Sequence, residues 1–437
     1  MPKARYALGV LLAPLGYAPR WVSRDGLADG GIYYGQRPHG LSERVVAILL
    51  EPDTLAYFAS GKPYDPADAR WFDWDGDPWA MVFPRAADRA PDLIASAFFW
   101  LSGWQEVTTR ERDEHGRFPY RASLQVALGC VEQPLVDVYR ERLAGMFAAA
   151  GLPVRRQQWH GREWALVMTH DVDLLRKRRL GTVARAFLRR DRQGEAAFRQ
   201  AVFARDPRRL SLDRMATAER VRGASATYFF KTAARGVWDV PYAHDSPYLR
   251  ALVADLETTF EIGLHPSYFG HDHPTHLHEE RDRLQTLTRV PPTTVRQHFL
   301  RFDDITPRLQ EAAGFRLDST LGFARREGFR RGTGVPFPLF DVGRNRPLDL
   351  WELPLVGMDT TLFTHRGFDA EAAKGVVDGL LDACRRVGGC CTLLWHNTAY
   401  DEVDFPGQAA VFEHALDRAL AGGAALLSAH DAATAMR

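Results

Sequence analysis

The feature that most constrains the fold of this chain is a buried-strand pattern that ends in two closely spaced carboxylates. The apolar run at 164–168 is typical of a buried strand, and it leads directly into the sequence THDVD at 169–173. Parallel α/β folds place their active sites where such strands end. Two acids one residue apart at that place suit a site where one holds a metal and the other handles protons. The alternative is an exposed Asp-rich turn, because loops favour aspartate.

Length and composition indicate a soluble globular protein with two domains. A chain of 437 residues exceeds one ordinary core, and the strand pattern changes near residue 156, so we expect domains at 1–155 and 156–437. The hydrophobic and charged contents, 46% and 25%, are those of globular proteins. The formal net charge of +1 gives no general attraction to nucleic acid, and we predict no nucleic-acid partner.

Cysteine usage and the N-terminus bear on the compartment. The four cysteines show neither a disulfide framework nor zinc-ligand spacing, so we predict a reducing, cytoplasmic location. The mildly apolar stretch 6–15 lacks a clear cleavage site, and we predict that it forms the first strand of a folded domain rather than a signal peptide. No segment reaches the roughly 18 apolar residues of a membrane span.

Strand and helix patterns alternate in the second unit, which predicts a parallel α/β barrel or sheet. The candidate strands are 166–168, 227–230, 260–264, 294–297, 315–317, 353–356, 392–395 and 425–427, and the clearest candidate helices are 279–287 and 369–387. The first unit has shorter apolar runs and a helix at 92–101 that we expect to be buried on more than one face. We find no chemistry in that unit.

A basic stretch at 176–214 separates the first two candidate strands. Its arginines are interleaved with Phe187, Phe198 and Phe203. One interpretation is an amphipathic segment that contacts an anionic membrane surface or an acidic glycan, which would make the protein membrane-peripheral. The other is a solvated helical hairpin that covers one side of the barrel.

Further chemistry-bearing residues follow successive candidate strands. They are His265, Arg296 with His298, Asp318, and His396. A single histidine at a strand end is more often structural than catalytic. Acids, an arginine and histidines at successive strand ends converge around one pocket, so the set predicts an active site.

The order of these residues resembles the polysaccharide deacetylase family, the metal-dependent NodB-homology carbohydrate esterases related to family 4, over about residues 160 to 435. The resemblance implies an α/β fold: a deformed (β/α) barrel of the NodB-homology type, preceded by a smaller α/β domain. The sequence THDVD resembles the first family motif, and HPS at 265–267 resembles the second. The N-terminal unit resembles the uncharacterised domain that precedes such barrels in some bacterial proteins, which implies no activity of its own.

The resemblance also implies a role for each matching residue. Asp173 and His265 would bind the metal. The catalytic set would be Asp171 as base, Arg296 bracing it, His396 as general acid, and Asp318 tuning that acid. The backbone N–H of Phe299 and the neighbouring Tyr268 are the candidate oxyanion and substrate contacts.

One position departs from the family pattern. The second motif usually carries another metal-binding histidine four residues after the first, and this chain has Phe269 there. We predict His298 as the third metal ligand, with His170 as the second choice. The histidine-rich loop, with His271, His273, His276 and His278, could supply a ligand, although we expect at least three of these four to be surface residues. A site with two protein ligands would bind metal weakly.

The predicted activity is hydrolysis of a C–N bond other than a peptide bond, namely removal of an N-acetyl group from an amino sugar of a glycan or glycolipid. The resemblance implies a divalent metal, zinc first and cobalt or nickel as alternatives, which polarises the amide carbonyl and activates water. Two alternatives stay open: hydrolysis of a non-sugar amide or other C–N bond on the same scaffold, and a catalytically inactive glycan-binding protein.

Overall fold

The structure is a computed structural model that describes residues 2–27, 30–36, 38–74, 76–85, 89–175 and 207–437. The α-helices are α1 Pro2–Leu12, α2 Pro52–Ser60, α3 Leu93–Leu101, α4 Trp104–Thr108, α5 Leu124–Ala127, α6 Leu135–Ala149, α7 Pro207–Val221, α8 Pro247–Leu256, α9 Pro274–Gln285, α10 Thr306–Ala312, α11 Ala370–Arg386, α12 Gln408–Ala421 and α13 Ala429–Met436. The strands are β1 Gly31–Gly35, β2 Val45–Leu49, β3 Arg70–Trp74, β4 Asp77–Met81, β5 Ala165–Val172, β6 Ala226–Lys231, β7 Glu261–His265, β8 Thr294–Val295, β9 Leu317–Asp318, β10 Phe337–Asp341, β11 Arg346–Glu352, β12 Gly357–Met358, β13 Cys390–Leu394 and β14 Ala425–Leu427. Short 3₁₀ helices lie at Ala13–Leu15, Arg24–Leu27, Pro66–Asp68, Tyr120–Ala122, His298–Leu300 and Asn397–Tyr400, and a π-helix at Thr360–His365.

The N-terminal unit begins with a helix, so the prediction of a strand at 6–15 is wrong. The buried residues Ala7, Leu8, Leu11, Leu12 and Leu15 recur at intervals of three and four, which is the spacing of one helix face. Against α1 packs α3, whose nine residues are all buried, as the apolar run predicts. Its first turn is capped by Asp92, which accepts a hydrogen bond from the backbone N–H of Ala95 at 2.9 Å.

Ten strands of the second unit form a mostly parallel sheet in the described residues. The order is β10-β11-β9-β8-β7-β6-β5-β13-β12, with β14 also paired to β5, and only β10 and β11 are antiparallel. Every residue of the central strand β5 is buried. Helices alternate with these strands along the chain, so the predicted mixed α/β fold is confirmed.

A four-residue crossover brings the two ends of this sheet together. The segment 353–356 was predicted as a strand, but it lies between β11 and β12. Its first backbone N–H, on Leu353, donates to Asp318 of β9, and the N–H of Val356 donates to Thr392 of β13. Four residues reach at most about 14 Å. The strand β11, which is next to the edge strand β10, therefore lies close to the opposite edge strand β12, and the sheet curls as a deformed barrel does.

Extensive buried contacts join the N-terminal unit to the barrel. One hydrophobic cluster includes residues from both units. The carboxylate of Glu106 accepts two hydrogen bonds from the buried guanidinium of Arg330, at 3.0 and 2.6 Å. Asp137 accepts from the hydroxyl of Thr333 at 2.7 Å and from the backbone N–H of Gly334 at 3.1 Å. The two units therefore share a core and a buried polar interface.

The basic stretch 176–214 lies outside the described residues as far as 206, and its last residues open α7. Its predicted membrane contact stays a prediction. Across the described ranges, no helix combines the length and the apolar character needed to cross a membrane.

Candidate metal centre

The central strand β5 aims its final residues at two different environments. Side chains alternate along a strand, so Asp171 and Asp173 share one face and His170 takes the other. His170 is fully buried, and its ring nitrogens hydrogen-bond the carbonyl oxygen of Trp395 at 2.8 Å and a carboxylate oxygen of Glu219 at 2.7 Å. Alternation therefore removes His170 from the ligand candidates and leaves the two acids facing the site.

Three side chains converge at the carboxyl edge of the sheet. The ligand atoms of Asp173, His265 and His298 all lie within 4.8 Å of one another. The Nε2 atoms of both histidines are 3.7 Å from Oδ1 of Asp173. Donors about 2.1 Å from a zinc ion at tetrahedral angles are about 3.4 Å apart, close to what is observed here.

Both imidazoles are held with Nε2 toward Asp173. Nδ1 of His265 donates to the carbonyl oxygen of Arg296 at 2.7 Å, and Nδ1 of His298 bonds Oδ1 of Asp239 at 2.9 Å. Such partners fix the ring and the tautomer of metal-binding histidines. Burial is the main cause that lowers the pKa of His265, to about 4, which keeps the ring in its neutral, ligating form. The sequence did not predict Asp239 as a site residue, because it lies in a loop and does not follow a predicted strand.

The donor set fits a divalent metal. One carboxylate and two imidazoles is a three-ligand set of the kind that catalytic zinc sites use. Oδ1 of Asp173 is buried, and no described residue gives it a hydrogen bond of proper geometry. Its nearest charged neighbour is the ammonium of Lys231, at 3.2 Å, and a cation at the centre of the cluster would be a further partner for this oxygen. The roles of these three residues as ligands remain predictions.

A lysine also reaches the cluster, which the sequence analysis missed. Nζ of Lys231 lies 3.2 Å from Oδ1 of Asp173, and the lysine side chain is 3% exposed. It ends β6, where it stands in register with His265 of β7. Burial alone would raise the pKa of Asp173, but Lys231 and the surrounding histidines outweigh it and hold that pKa well below its usual range.

Asp171, the predicted base, contacts Arg296, the arginine that was predicted to brace it. Nη1 of Arg296 lies 3.3 Å from Oδ1 of Asp171 and donates to the hydroxyl of Thr169 at 2.8 Å. The rest of the guanidinium is fixed by Ser319, whose carbonyl oxygen accepts from Nε at 2.7 Å and whose hydroxyl accepts from Nη2 at 2.8 Å. Oδ2 of Asp171 is 3.7 Å from Nε2 of His265, so the carboxylate lies beside the cluster.

His396, the predicted general acid, hydrogen-bonds Asp359 and not Asp318, the partner that the sequence predicted. Nδ1 of His396 bonds Oδ1 of Asp359 at 2.7 Å, and its backbone N–H donates to the other oxygen at 2.8 Å. Burial lowers the pKa of His396, but Asp359 and then Asp173 outweigh it and raise the pKa to about 10. The ring is therefore protonated at neutral pH, and its Nε2 lies 3.8 Å from Oδ2 of Asp173.

Pairing of Asp318 with His396 is thus a wrong prediction, and strand order gives the reason. Asp318 ends β9, which is separated from β13 by four strands, whereas Asp359 follows β12, the neighbour of β13. Asp318 instead accepts hydrogen bonds from Thr320 at 2.6 Å and Gln310 at 2.9 Å. Burial raises its pKa and that of Glu352, with which it interacts.

The histidine-rich loop stays outside the cluster. His271 is buried near Asp272 and Asp303, and the other three histidines are exposed, as expected for at least three of the four. Phe269 is 48% exposed and contacts the ring of Tyr268. Phenylalanine has no ligand atom, so the position that usually holds a second-motif ligand contributes nothing to the metal centre.

The two predicted substrate contacts lie next to the cluster. The backbone N–H of Tyr268 donates to Asp239 at 3.1 Å, on the same carboxylate that holds His298. Phe299 and Leu300 have positive φ angles of 60° and 53°. Bulky residues rarely adopt this conformation, and such strain concentrates at functional sites.

Comparisons with known proteins bear on the two units separately. The model of a family of unknown function, DUF7033, matches residues 32–151. No curated protein matches the chain.

Solved structures match the C-terminal region. A protein described as a polysaccharide deacetylase, from Mycobacterium smegmatis, has 20% identity and a TM-score of 0.45 over 63% of this chain and 91% of that one. A family 4 carbohydrate esterase from Streptomyces lividans has 11% identity and a TM-score of 0.32 over 60% and 92%. A peptidoglycan deacetylase from Bacillus subtilis has 10% identity and a TM-score of 0.30 over 62% and 91%. These likenesses lie in the region whose sequence motifs resemble the polysaccharide deacetylase family.

Proposed function

We propose that this protein is a metal-dependent hydrolase that removes the N-acetyl group from an amino sugar of a glycan or glycolipid. The observation that carries the proposal is the convergence of Asp173, His265 and His298. Asp171 lies 3.7 Å from His265, and His396 lies 3.8 Å from Asp173. The solved neighbours described as deacetylases support the same reaction class.

The residues around the cluster can perform each proton transfer that amide hydrolysis needs. A divalent cation held by the three ligands would act as a Lewis acid on the carbonyl oxygen and make water more acidic. Asp171, held in place by its contact with Arg296, takes a proton from the attacking water. His396, kept protonated by Asp359, delivers a proton to the departing amine nitrogen.

Metal analysis of the purified protein tests the cation site. We expect about one zinc, cobalt or nickel ion per chain, since all three suit a carboxylate–imidazole donor set. The ion should be lost in Asp173→Ala, His265→Ala and His298→Ala. His276, on the exposed side of α9, is a matched control, and His276→Ala should retain the metal. A metal content unaffected by all three ligand variants would refute the site.

Acetate release tests the reaction. The metal-loaded protein is incubated with a panel of N-acetylated oligosaccharides and, in parallel, with simple non-sugar acetamides. Release from the sugars alone supports the proposed substrate class, and release from the acetamides alone favours the non-sugar alternative. Binding without release in the presence of bound metal favours the glycan-binding alternative.

We also propose a reducing, cytoplasmic location. Its support is that the four cysteines are buried and free: Cys130, Cys384, Cys390 and Cys391. Secreted chains of this kind more often pair their cysteines.

A further inference from the structure

Four aromatic rings form a cluster beside the metal centre, and one of them comes from the N-terminal unit. They are His115, Trp238, Tyr268 and Phe299, and we name them the aromatic platform. All six pairs of ring centroids are 4.7 to 5.9 Å apart. Trp238 and Tyr268 are nearly parallel, with an interplanar angle of 26°.

The platform adjoins the ligand cluster directly. Trp238 precedes Asp239, and Phe299 follows His298, so two platform residues are sequence neighbours of the Asp239–His298 pair. The backbone N–H of Tyr268 donates to the same carboxylate of Asp239. A molecule held on the platform is therefore next to whatever binds at the metal centre.

The platform has a rigid base and an open top. Tyr268 is 7% exposed, whereas Trp238 is 45% exposed and His115 and Phe299 are half-buried. The guanidinium of Arg301 lies 4.1 Å from the centroid of the Tyr268 ring and so fixes its position. An exposed indole on a fixed base can bind a flat ligand with little loss of side-chain entropy.

Reciprocal hydrogen bonds hold the N-terminal loop on this side of the barrel. Nη1 of Arg117 donates to the carbonyl oxygen of Phe299 at 2.8 Å, and Asp113 pairs with the same arginine at 2.8 Å. In return, Nε of Arg301 donates to the carbonyl oxygen of His115 at 2.9 Å. Hydrogen bonds from both units therefore fix the position of His115.

The ring of His115 offers a polar group at the edge of the platform. Its Nδ1 bonds the hydroxyl of Tyr268 at 3.0 Å. None of the hydrogen bonds within the described part of the chain uses its Nε2, which leaves that nitrogen for a hydroxyl of a ligand.

We propose that the aromatic platform binds the pyranose ring next to the one whose acetamido group enters the metal centre. This inference rests on the proposed function, since it assigns the neighbouring sugar of the same substrate. The face of a pyranose carries C–H groups that are slightly positive, and the face of an aromatic ring is negative, so the two stack. The N-terminal unit, through His115, then contributes to substrate binding and favours chains of two or more sugars over single ones.

Binding measurements with defined oligosaccharides test the platform. Calorimetry uses the metal-loaded Asp171→Asn protein, in which hydrolysis is suppressed, with oligomers of one to four N-acetylglucosamine units. We expect the tetramer to bind at least about tenfold more tightly than the monomer, because a second ring adds a stacked contact. Trp238→Ala should reduce the ratio of tetramer affinity to monomer affinity at least fivefold, and His115→Ala should reduce it to a smaller extent. Trp238→Phe should keep most of the ratio that the parent protein shows.

Trp71 offers a matched control, because it is 47% exposed and lies on β3 away from the platform. Trp71→Ala should leave the ratio unchanged, and circular dichroism should show all variants folded. Equal tetramer-to-monomer ratios in Trp238→Ala and the parent protein would overturn the platform, and so would failure of the parent protein to bind the tetramer.

The experiments distinguish failure of the aromatic platform from failure of the proposed deacetylase activity. Tetramer binding that depends on Trp238 but yields no acetate in the protein with intact Asp171 supports the platform and refutes the deacetylase activity. Acetate release with an unchanged chain-length preference in Trp238→Ala supports the activity and refutes the platform.

Discussion

Replacing Lys231 with methionine should strengthen metal binding. The lysine ammonium lies 3.2 Å from Oδ1 of Asp173, the oxygen that faces both histidines of the cluster. A cation bound to that oxygen would therefore lie within about 5 Å of the ammonium, given metal–oxygen distances of about 2.1 Å. Methionine is close to lysine in length and shape but has no charge, so the substitution removes repulsion while it keeps the packing.

The size of the effect follows from the charges. A divalent ion and an ammonium about 5 Å apart repel each other by about 7 kcal/mol at an effective dielectric constant of about 20. Rearrangement of the surrounding groups when the cation binds would relieve part of this repulsion. Even one fifth of it, about 1.4 kcal/mol, corresponds to a tenfold change in affinity. We therefore expect Lys231→Met to lower the dissociation constant for zinc at least about tenfold.

The assay is a zinc titration of metal-free protein against a chromophoric chelator of known affinity, at pH 7.5. Lys374 is a suitable control, because it pairs with Glu371 at 2.8 Å on the surface of α11. Lys374→Met should leave zinc affinity unchanged. Zinc affinity that is equal or weaker in a folded Lys231→Met protein would show that the lysine does not compete with the cation, and the reasoning would fail.

Four further predictions concern the base, the acid and the interface. Asp171→Asn should reduce acetate release at least about a hundredfold without altering circular dichroism, because the general base is lost. Asp359→Asn should move the alkaline limb of the activity profile about 1 to 3 pH units toward acid, because the pKa of His396 loses its main raising cause. The same pair stabilises the fold fully below about pH 6.5 and loses that contribution as pH rises toward 10, so the stability deficit of Asp359→Asn should shrink at alkaline pH. Glu106→Ala should cost about 3 to 5 kcal/mol in urea unfolding, because it leaves the guanidinium of Arg330 buried without its partner.

Each of these has a surface counterpart on the same chain. Asp245→Asn, at an exposed carboxylate, should leave acetate release unchanged. Asp378 pairs with the half-exposed His414, and Asp378→Asn should leave the alkaline limb in place. Glu111→Ala breaks an exposed pair with Arg121 and should cost less than about 1 kcal/mol. A core variant that behaves like its surface counterpart would refute the corresponding assignment.

Local patterns predicted much of the barrel because its strands carry strong apolar runs. The run before THDVD became β5, and 425–427 was matched to the residue by β14. Patterns failed where tertiary contacts decide the conformation. The segment 353–356 is as apolar as a strand, but Pro354 has no N–H to donate, and the flanking residues bond to different strands.

In the candidate site, too, local patterns predicted some residues, while others depend on tertiary contacts. Asp171, Asp173 and His265 could be placed together because they end strands that the sequence already marks, and His298 could be proposed from its position beside Arg296. Asp359 could not be matched to His396, since that pairing depends on strand order. Nor could Lys231 or Asp239 be found, because a lysine after a strand and an aspartate in a loop are ordinary until the fold brings them to the cluster.

The Glu106–Arg330 pair has a consequence for how such genes can be rearranged. A fission that separated the N-terminal unit from the barrel would take Glu106 away from Arg330, expose the apolar core that the two units share, and remove His115 from the aromatic platform. Recombination that replaced one unit with that of a distant relative would have to replace both partners of the pair at once. The two units are therefore expected to be inherited together, even though each has its own pattern of similarity to other proteins.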